Sequence, residues 1–177
     1  KARKSIPEGM TVYNDYKTLI ASAELDVIFI SLPNQFAAEA ACLSLQNGLH
    51  VFCEKPPART HAELLEVEKQ SLKFPELKLM YGFNHRFHLS VEEAKLLIDS
   101  NSLGRLINMK GVYGKSQMIS FNQTDWRTDR EASGGGILLD QGIHMLDLMR
   151  YLSGENFTDV FSIIDNAFWN FDVEDNA

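Results

Sequence analysis

A short and almost uninterrupted run of branched apolar residues at positions 26–33 most constrains the fold of this chain. A strand that is buried on both faces of a parallel sheet has this composition. Two similar runs begin near residues 49 and 77, and helical patterns over 35–46 and 60–73 separate the three. This alternation predicts a βαβαβ unit, part of a doubly wound (Rossmann-like) parallel sheet with right-handed crossovers.

Local signals indicate where the helices begin and end. Asn47-Gly48 supplies the left-handed stop that suits the end of the first helix. Residues 60–63 (Thr-His-Ala-Glu) form a capping box, which predicts a helix from there to about residue 73. Residues 90–93 (Ser-Val-Glu-Glu) form a second capping box and predict another helix, to about residue 99.

The regular alternation of short strand patterns and helix patterns ends after residue 83. Residues 105–116 predict a long strand, 117–133 a polar loop, 134–152 a long apolar helix, and 157–169 a further strand. We therefore expect an α/β fold for the first 83 residues and an α+β fold with longer strands for the remainder.

Charge and cysteine content narrow the class of partner and the compartment. Seventeen Lys and Arg against 24 Asp and Glu give a net charge of −7, which is unsuited to nucleic acid as the main partner. No apolar run is long enough to predict a membrane span, and no signal-peptide core follows the basic N-terminus. Cys42 and Cys53 lie in apolar segments, where buried reduced thiols are more common than a disulfide. We expect a cytoplasmic protein.

The first candidate site follows the second strand, in Glu54-Lys55-Pro56. Ligands of open parallel sheets bind outside the carboxyl ends of the strands, so Lys55 is placed to act on one, Glu54 can hold its ammonium, and Pro56 fixes the backbone. Pro33-Asn34 follows the preceding strand and shares this edge. The alternative is a solvated Lys-Glu pair beside an ordinary turn.

The second candidate site lies on the long apolar helix, which three glycines at 134–136 open. Asp140, His144 and Asp147 follow the i, i+4, i+7 spacing of one helix face, and Tyr151 continues it. Charged groups in such a helix are costly unless they face a cleft, and a carboxylate one turn before a histidine can orient the imidazole for acid–base work. The free N–H groups of the glycines suit an anion. The alternative is a histidine that is simply packed in the core.

Two smaller features lie near these sites. Asn84 and Arg86 follow the third strand on the ligand edge, where both are placed to point into the cleft. Trp126-Arg127 precedes the glycines, and this pair either stacks on a flat ring or fixes a loop.

The same helix also contains a spacing used by metal ligands, Asp140 and His144 at i, i+4. Two ligands do not make a site, and Asp147 lies nearly two turns from Asp140. His85 and His88 would contribute only if the fold brought them to this helix. We therefore predict no metal site.

Several motifs now follow one another in a recognisable order. They are Pro33-Asn34, Glu-Lys-Pro at 54–56, Asn-x-Arg-Phe at 84–87, Trp126-Arg127, Gly-Gly-Gly at 134–136 and Asp-x-Gly-x-His at 140–144. In this order they resemble the Gfo/Idh/MocA family of NAD(P)-dependent oxidoreductases, through nearly the whole chain. The resemblance implies a dinucleotide-binding domain followed by a substrate domain with a large open sheet. It also implies hydride transfer between NAD or NADP and a CH–OH carbon of a small-molecule sugar or cyclitol.

The resemblance assigns roles to individual residues. Lys55 is implied to polarise the substrate oxygen, His144 to exchange the hydroxyl proton, and Asp140 to orient the substrate or the imidazole. Arg86, on the ligand edge, is predicted to bind substrate together with these three. The residues implied to line the cofactor are Pro33, Asn34, Glu54, Lys55, Pro56, Asn84, Trp126 and Arg127.

The family pattern extends beyond this sequence at both ends. Its cofactor domain opens with a Gly-x-Gly-x-x-Gly turn, and its second domain has several more strands. We therefore interpret residues 1–83 as part of the dinucleotide-binding domain and 84–177 as part of the substrate and oligomerisation domain. We expect these 177 residues alone to bind NAD(H) weakly and to be inactive, and the whole enzyme to be a homo-oligomer, a dimer or a tetramer. The choice between NAD and NADP stays open.

Other readings of substrate and class also stay open. Residues 140–144 and 172–176 resemble family members that act on nucleotide-linked sugars. A different class is a non-catalytic binding or regulatory protein that keeps the dehydrogenase fold, and a third is a metal-dependent lyase. A binding module has no need for Lys55, Asp140 and His144 together, which favours the enzyme.

Overall fold

The computed structural model describes residue 7 and residues 9–22, 24–114 and 125–177. Helices and strands alternate through the first half, and helices predominate in the second. In chain order the elements are α1 (Tyr16–Ser22), β1 (Val27–Ile30), α2 (Asn34–Gln46), β2 (His50–Cys53), α3 (His61–Lys73), β3 (Leu79–Tyr81), a 3₁₀ turn (Asn84–Phe87), α4 (Leu89–Asp99), a second 3₁₀ turn (Trp126–Thr128), α5 (Arg130–Ser133), a π turn (Leu138–Gly142) and α6 (Ile143–Ser153).

The three strands form a parallel sheet in the order β1-β2-β3, which confirms the predicted βαβαβ unit. In the register of this sheet Cys53 lies between Ile30 and Tyr81, the last residues of the neighbouring strands. The strands therefore end level with one another, and the segments that leave them share one edge of the sheet.

The core lies between one face of this sheet and helices α2 and α3. Alanines on α2 let the helix approach the strands closely, and Val67 of α3 completes the layer. The fully or almost fully buried members are Ala40, Ala41, Leu45, Val51, Cys53 and Val67. Burial of this apolar surface, at roughly 25 cal/mol per Å², holds the sheet edge in place for the residues that follow it.

The local signals succeed in the first half and fail at α4. Thr60 accepts a hydrogen bond from the Glu63 N–H at 3.2 Å, and Gly48 adopts φ +79°, both as predicted. The second capping box is wrong, because α4 begins at Leu89 with His88 as its cap and without a side-chain cap bond. The preceding 3₁₀ turn leads directly into this helix, so Ser90 already lies inside the first turn.

The two long strands predicted for the second half are wrong in the described residues. Residues 105–114 and 157–169 form no strand. The described residues there have only an isolated bridge between Asp165 and Asn176, and residues 115–116 lie outside the described part. An apolar segment becomes a strand only when another strand hydrogen-bonds to it. Ile107 is 92% exposed and Val160 81%, and within the described chain no strand lies beside either segment. The expected large open sheet is therefore not formed there.

The predicted polar loop and the glycine-opened helix also need correction. The described part of 117–133 is largely helical, because Asp125 and Asp129 each cap a short turn with the side chain. The glycines end α5, with Gly134 at φ +86°, and the long helix starts only at residue 137. It then passes through the π turn into α6 and stops at Ser153-Gly154, where it was predicted to stop.

Two findings bear on the class of protein. No helix in the described ranges has both the length and the apolar character needed to cross a bilayer. Cys42 and Cys53 are free thiols, as predicted, and burial raises the pKa of Cys53 to about 12. This thiol therefore stays protonated at neutral pH.

Candidate active site

Lys55 leaves the end of β2 and reaches the long helix, where it binds Asp140. Its ammonium donates to the main-chain oxygen of Asp140 and, at 2.9 Å, to its carboxylate Oδ1. The two side chains are only 15% and 21% exposed. Burial raises the pKa of Asp140, but hydrogen bonds from Gln141 and Lys55 outweigh it and hold the pKa below its ordinary value. Asp140 is therefore a carboxylate, and two of the three N–H donors of Lys55 are used by it.

Glu54, which precedes Lys55 in the chain, does not have its predicted role. The expectation that Glu54 holds the ammonium is wrong, because the ammonium is bonded to Asp140. Glu54 is exposed and its carboxylate lies against Gly82, where an added Cβ would be 3.1 Å from Oε2. Pro56 is buried behind the Lys55–Pro56 bond, which is cis.

His144 is only 5% exposed and packs against aromatic rings of the segment that follows β3. The His85 ring stacks on it with 4.0 Å between centroids and 11° between planes, and Phe83 meets it edge-on at 6.3 Å. Burial lowers the pKa of His144 to about 4, helped by the charges of His85 and Lys55 and opposed by Asp140 and Asp147. The imidazole is therefore neutral at pH 7, and its Nδ1 has no hydrogen-bond partner among the described residues.

Asp140 does not hold the imidazole, which was one of its two predicted roles. Its carboxylate oxygens accept from Lys55 and from the Gln141 side chain, at 2.9 and 2.7 Å. The preceding carboxylate therefore orients the ammonium rather than the histidine. The other predicted role, orienting the substrate, stays a prediction.

Asp147 and Tyr151 continue the polar stripe of the helix and both contact Arg86. The guanidinium donates to both carboxylate oxygens of Asp147, with 2.8 Å from Nε to Oδ2. It also lies 5.1 Å from the centre of the Tyr151 ring. All four residues of the predicted stripe thus face the segments that leave the sheet. The prediction that Arg86 binds substrate stays a prediction, and in this structure its guanidinium is engaged by Asp147.

Among the other residues predicted to line the cofactor, Asn34 is buried and hydrogen-bonded, whereas Asn84 is exposed. Pro33 caps α2, and Asn34 is buried, with its amide donating to the Ser133 main-chain oxygen at 2.7 Å. This bond fixes α5, and so the glycines, to the sheet half. Asn84 is exposed at the start of the first 3₁₀ turn.

Trp126 and Arg127 stack on one another, with the guanidinium 4.4 Å from the ring centre. Asp125 fixes this turn by accepting from the Arg127 N–H and guanidinium. Arg127 also lies close enough to Asp140 for its charge to help lower the pKa of that carboxyl. The pair therefore lies near Asp140, and its role in binding the cofactor stays a prediction.

The anion predicted at the glycines is a carboxylate of the chain itself, that of Glu174. It accepts from the Gly136 N–H at 2.9 Å and the Leu138 N–H at 3.2 Å, while the main-chain oxygen of Glu174 accepts from Ile137. A Cβ on Gly136 would lie 1.9 Å from that oxygen, so the glycine is required by close approach of backbone. The free helix N–H groups are satisfied by Glu174.

Sequence reasoning missed Glu174 and the contact between His85 and His144. No local pattern relates residue 174 to residue 136, because the bond spans 38 positions. His85 was considered only as a remote metal ligand, although its place after β3 on the ligand edge was the available signal. Within the described ranges no group of three His, Cys, Asp or Glu side chains converges on a metal position.

The resulting site pairs a fixed ammonium with a neutral imidazole at the end of a parallel sheet. Lys55 has an N–H donor left after binding Asp140, and His144 can accept a proton. Such a pair can polarise a hydroxyl oxygen and remove its proton in one step.

Comparison with known families accounts for almost the whole chain. Residues 3–82 match a family described as "Oxidoreductase family, NAD-binding Rossmann fold". Residues 91–177 match the "GFO/IDH/MocA C-terminal domain".

Individual relatives are sugar dehydrogenases. Levoglucosan dehydrogenase of Pseudarthrobacter phenanthrenivorans is 32% identical over 143 residues, which are 80% of this chain and 36% of that protein. D-glucoside 3-dehydrogenase of Escherichia coli is 32% identical over 151 residues, 81% of this chain and 40% of that protein. A solved levoglucosan dehydrogenase in complex with NADH and levoglucosan matches with a TM-score of 0.69 at 29% identity, over 81% of this chain and 39% of that one. The chain thus spans about two fifths of the length of these relatives.

Proposed function

Because this chain belongs to the Gfo/Idh/MocA family of oxidoreductases, we propose that the protein containing it transfers a hydride between a nicotinamide cofactor and a CH–OH carbon of a sugar-type ring. The observation that carries the proposal is the Lys55 ammonium, anchored on Asp140 beside a neutral His144 at the carboxyl edge of the sheet. Residues 1–83 would contribute to the cofactor domain and 84–177 to the substrate and oligomerisation domain.

The sheet edge fits the nicotinamide end of such a cofactor. Glu54 and Asn84 present exposed polar groups beside the half-buried Lys55, and the Glu54 carboxylate lies against Gly82. When bound, the cofactor accepts or returns the hydride. The residues that would hold it are Pro33, Asn34, Glu54, Lys55, Pro56, Asn84, Trp126 and Arg127.

The residues of this chain would handle the oxygen and the proton. In the oxidation direction, the remaining N–H of Lys55 would donate to the substrate oxygen. His144 would take the hydroxyl proton while the hydride leaves the carbon, so that C–H and O–H break and a C=O bond forms. Asp140 would keep the ammonium aimed at the substrate oxygen, because its carboxylate accepts a hydrogen bond from that ammonium.

The substrate class follows from the relatives and from the chemistry of the site. Both relatives named above act on sugars, levoglucosan in one and D-glucosides in the other. A neutral hydroxyl is what an ammonium donor and an imidazole acceptor recognise together. A nucleotide-linked sugar, which the sequence of residues 140–144 and 172–176 resembles, remains within this proposal as a narrower substrate.

Assembly and compartment form part of the proposal too. The net charge of −7 and the free thiols support a cytoplasmic protein that does not bind nucleic acid. A homo-oligomer, a dimer or a tetramer, is implied by the family resemblance. Light scattering on the full-length protein tests this part.

The test uses the full-length protein with NAD⁺ or NADP⁺ and three probes: levoglucosan, a methyl glucoside and myo-inositol. We expect reduced nicotinamide to form with at least one probe. Lys55→Ala and His144→Ala should each lower kcat by about 10²-fold or more. Both variants should still bind the reduced cofactor, which calorimetry measures. There are two matched controls. Lys78→Ala changes an exposed lysine just before β3, at the end of the strands opposite to the site, and His61→Ala changes an exposed histidine at the start of α3.

Two results would contradict the proposal. If neither site variant changes turnover, the reaction occurs elsewhere in the protein. If no probe is turned over but cofactor binds, the non-catalytic binding protein is favoured. Turnover that survives thorough chelation removes the metal-dependent lyase.

A further inference from the structure

His85 lies outside the proposed machinery and is in direct contact with it. It sits in the first 3₁₀ turn, just after β3, and stacks on His144 with nearly parallel rings 4.0 Å apart. Tyr113 adds a third nearly parallel ring, 5.6 Å from His85 and 6.3 Å from His144. The imidazole that would accept the proton therefore rests against a second imidazole, not against an aliphatic side chain.

Two stacked imidazoles cannot both carry a proton without a large repulsion. At this short separation two positive charges repel strongly, because the effective dielectric constant of a partly buried site is well below that of water. Protonation of either ring therefore opposes protonation of the other. Burial and the charge of His88 also lower the pKa of His85, so it gives up its proton before a free histidine would.

Charged groups face the ring pair from each element packed against it. Lys55, from the segment after β2, repels a proton on either ring. Asp147 on α6 favours a proton on both, and Asp140 in the π turn favours one on His144. Since Asp140 is bonded to Lys55 and Asp147 to Arg86, both carboxylates are largely neutralised by their partners. Burial and the second ring then decide the protonation of the pair.

We propose that His85 is a positioning residue that, by stacking on His144, keeps this imidazole neutral and ready to accept a proton down to mildly acidic pH. The inference rests on the proposed function, in which His144 is the acid–base group. His85 itself takes no proton from the substrate. It fixes the plane of the His144 ring and sets the pH at which the base is lost.

The experiment compares the full-length protein with its His85→Phe variant, because phenylalanine keeps a flat ring in the stack and removes the titrating nitrogens. Histidine ring signals are followed by NMR against pH, and His144 is assigned from the signal missing in His144→Ala. The pH profile of kcat/KM is measured in parallel. We expect the titration midpoint of His144 to rise by about half a pH unit or more. The acid limb of the profile should move up by the same amount.

A second variant and a control keep the test decisive. His85→Gln removes both ring and charge, and it replaces the phenylalanine variant if that protein does not fold. His61→Asn removes an exposed histidine on α3 and should shift neither measurement. An unmoved His144 midpoint overturns the inference, and so does an unmoved acid limb in an active protein. If no probe is turned over, the proposed function fails, and the NMR titration alone still decides whether His85 controls the protonation of His144.

Discussion

The helix face that carries the candidate site meets the sheet edge through two kinds of contact. At each end of the face a carboxylate binds a cation: Asp140 binds Lys55, and Asp147 binds Arg86. Between these ion pairs, His144 packs against aromatic rings, above all that of His85, and forms no ion pair with the described residues. The charged ends and the uncharged middle lie on one face of one helix.

The difference shows how one buried helix face can hold an ionised carboxylate, Asp140, close to a neutral imidazole, His144. Hydrogen bonds from Gln141 and Lys55 hold Asp140 ionised although burial opposes this, whereas no carboxylate of the described residues is bonded to His144 and burial keeps it neutral. A site of this design holds a donor and an acceptor ready at the same pH. The predictions below change one kind of contact at a time.

The largest expected effect comes from the ion pair that carries the proposed chemistry. Asp140→Asn keeps a similar shape but removes the charge that aims the Lys55 ammonium. We expect kcat of the full-length protein to fall about 10²-fold, because the donor to the substrate oxygen is no longer held in position. Steady-state kinetics measure this fall, and cofactor binding should change little.

The second ion pair should behave differently when it is changed in the same way. Asp147→Asn leaves Arg86 without its bidentate partner, and we expect a loss of about 1–2 kcal/mol in the free energy of unfolding. The value of kcat should stay within about threefold of the original, since Asp147 bonds Arg86 rather than Lys55. Chemical denaturation and kinetics on this variant are the control for Asp140→Asn. Equal losses of kcat in both would show that the two ends of the face do not differ in function.

The neutral His144 in the middle of this face predicts that the free energy of unfolding depends on pH. The pKa of His144 is about 4 in the folded chain against an ordinary 6.5, so the unfolded state binds more protons between these values. The free energy of unfolding is therefore greatest above about pH 6.5 and falls as the pH decreases toward 4; His85 acts in the same direction. We expect a loss of about 1 kcal/mol between about pH 7 and about pH 5.

Denaturation curves at several pH values measure this loss. His144→Asn should flatten the dependence, whereas His61→Asn should leave it unchanged because His61 is exposed. A free energy of unfolding that stays constant over this range, or one that rises on acidification, contradicts the assignment of a neutral imidazole to the folded state.

The sheet and the polar stripe were predictable from sequence for the same physical reason. Each depends on residues that are near one another in the chain: apolar strands of three or four residues, the Thr60 cap, and the spacing of Asp140, His144 and Asp147 on one helix. The prediction that the first strand is buried on both faces is wrong in the described chain, because Val27 and Phe29 are 46% and 74% exposed. The shared edge of a parallel sheet then places Lys55 near whatever packs there. Local pattern and one rule of topology therefore gave the position of these side chains.

The parts that failed depend on contacts between distant segments. An alternating apolar pattern over 105–114 forms a strand only beside another strand, and the described chain provides none there. Whether Lys55 turns toward Glu54 or Asp140 depends on how closely the helix packs, as does the stack of His85 on His144. No spacing in the sequence contains this information.

The smallest predicted effect concerns a third kind of contact, a carboxylate held by backbone N–H groups with no cation. Glu174→Gln keeps an oxygen for the Gly136 and Leu138 N–H groups but removes the charge at the start of the helix. We expect a loss of about 0.5–1 kcal/mol in the free energy of unfolding, because negative charge near a helix N-terminus is stabilising. Asp175→Asn is the matched control: this carboxylate also accepts from backbone N–H groups, those of residues 167–169, but is less buried than Glu174 and caps none of the described helices. Denaturation should show a smaller loss for it, and a loss equal to that of Glu174→Gln would mean that the start of the helix gives Glu174 no special role.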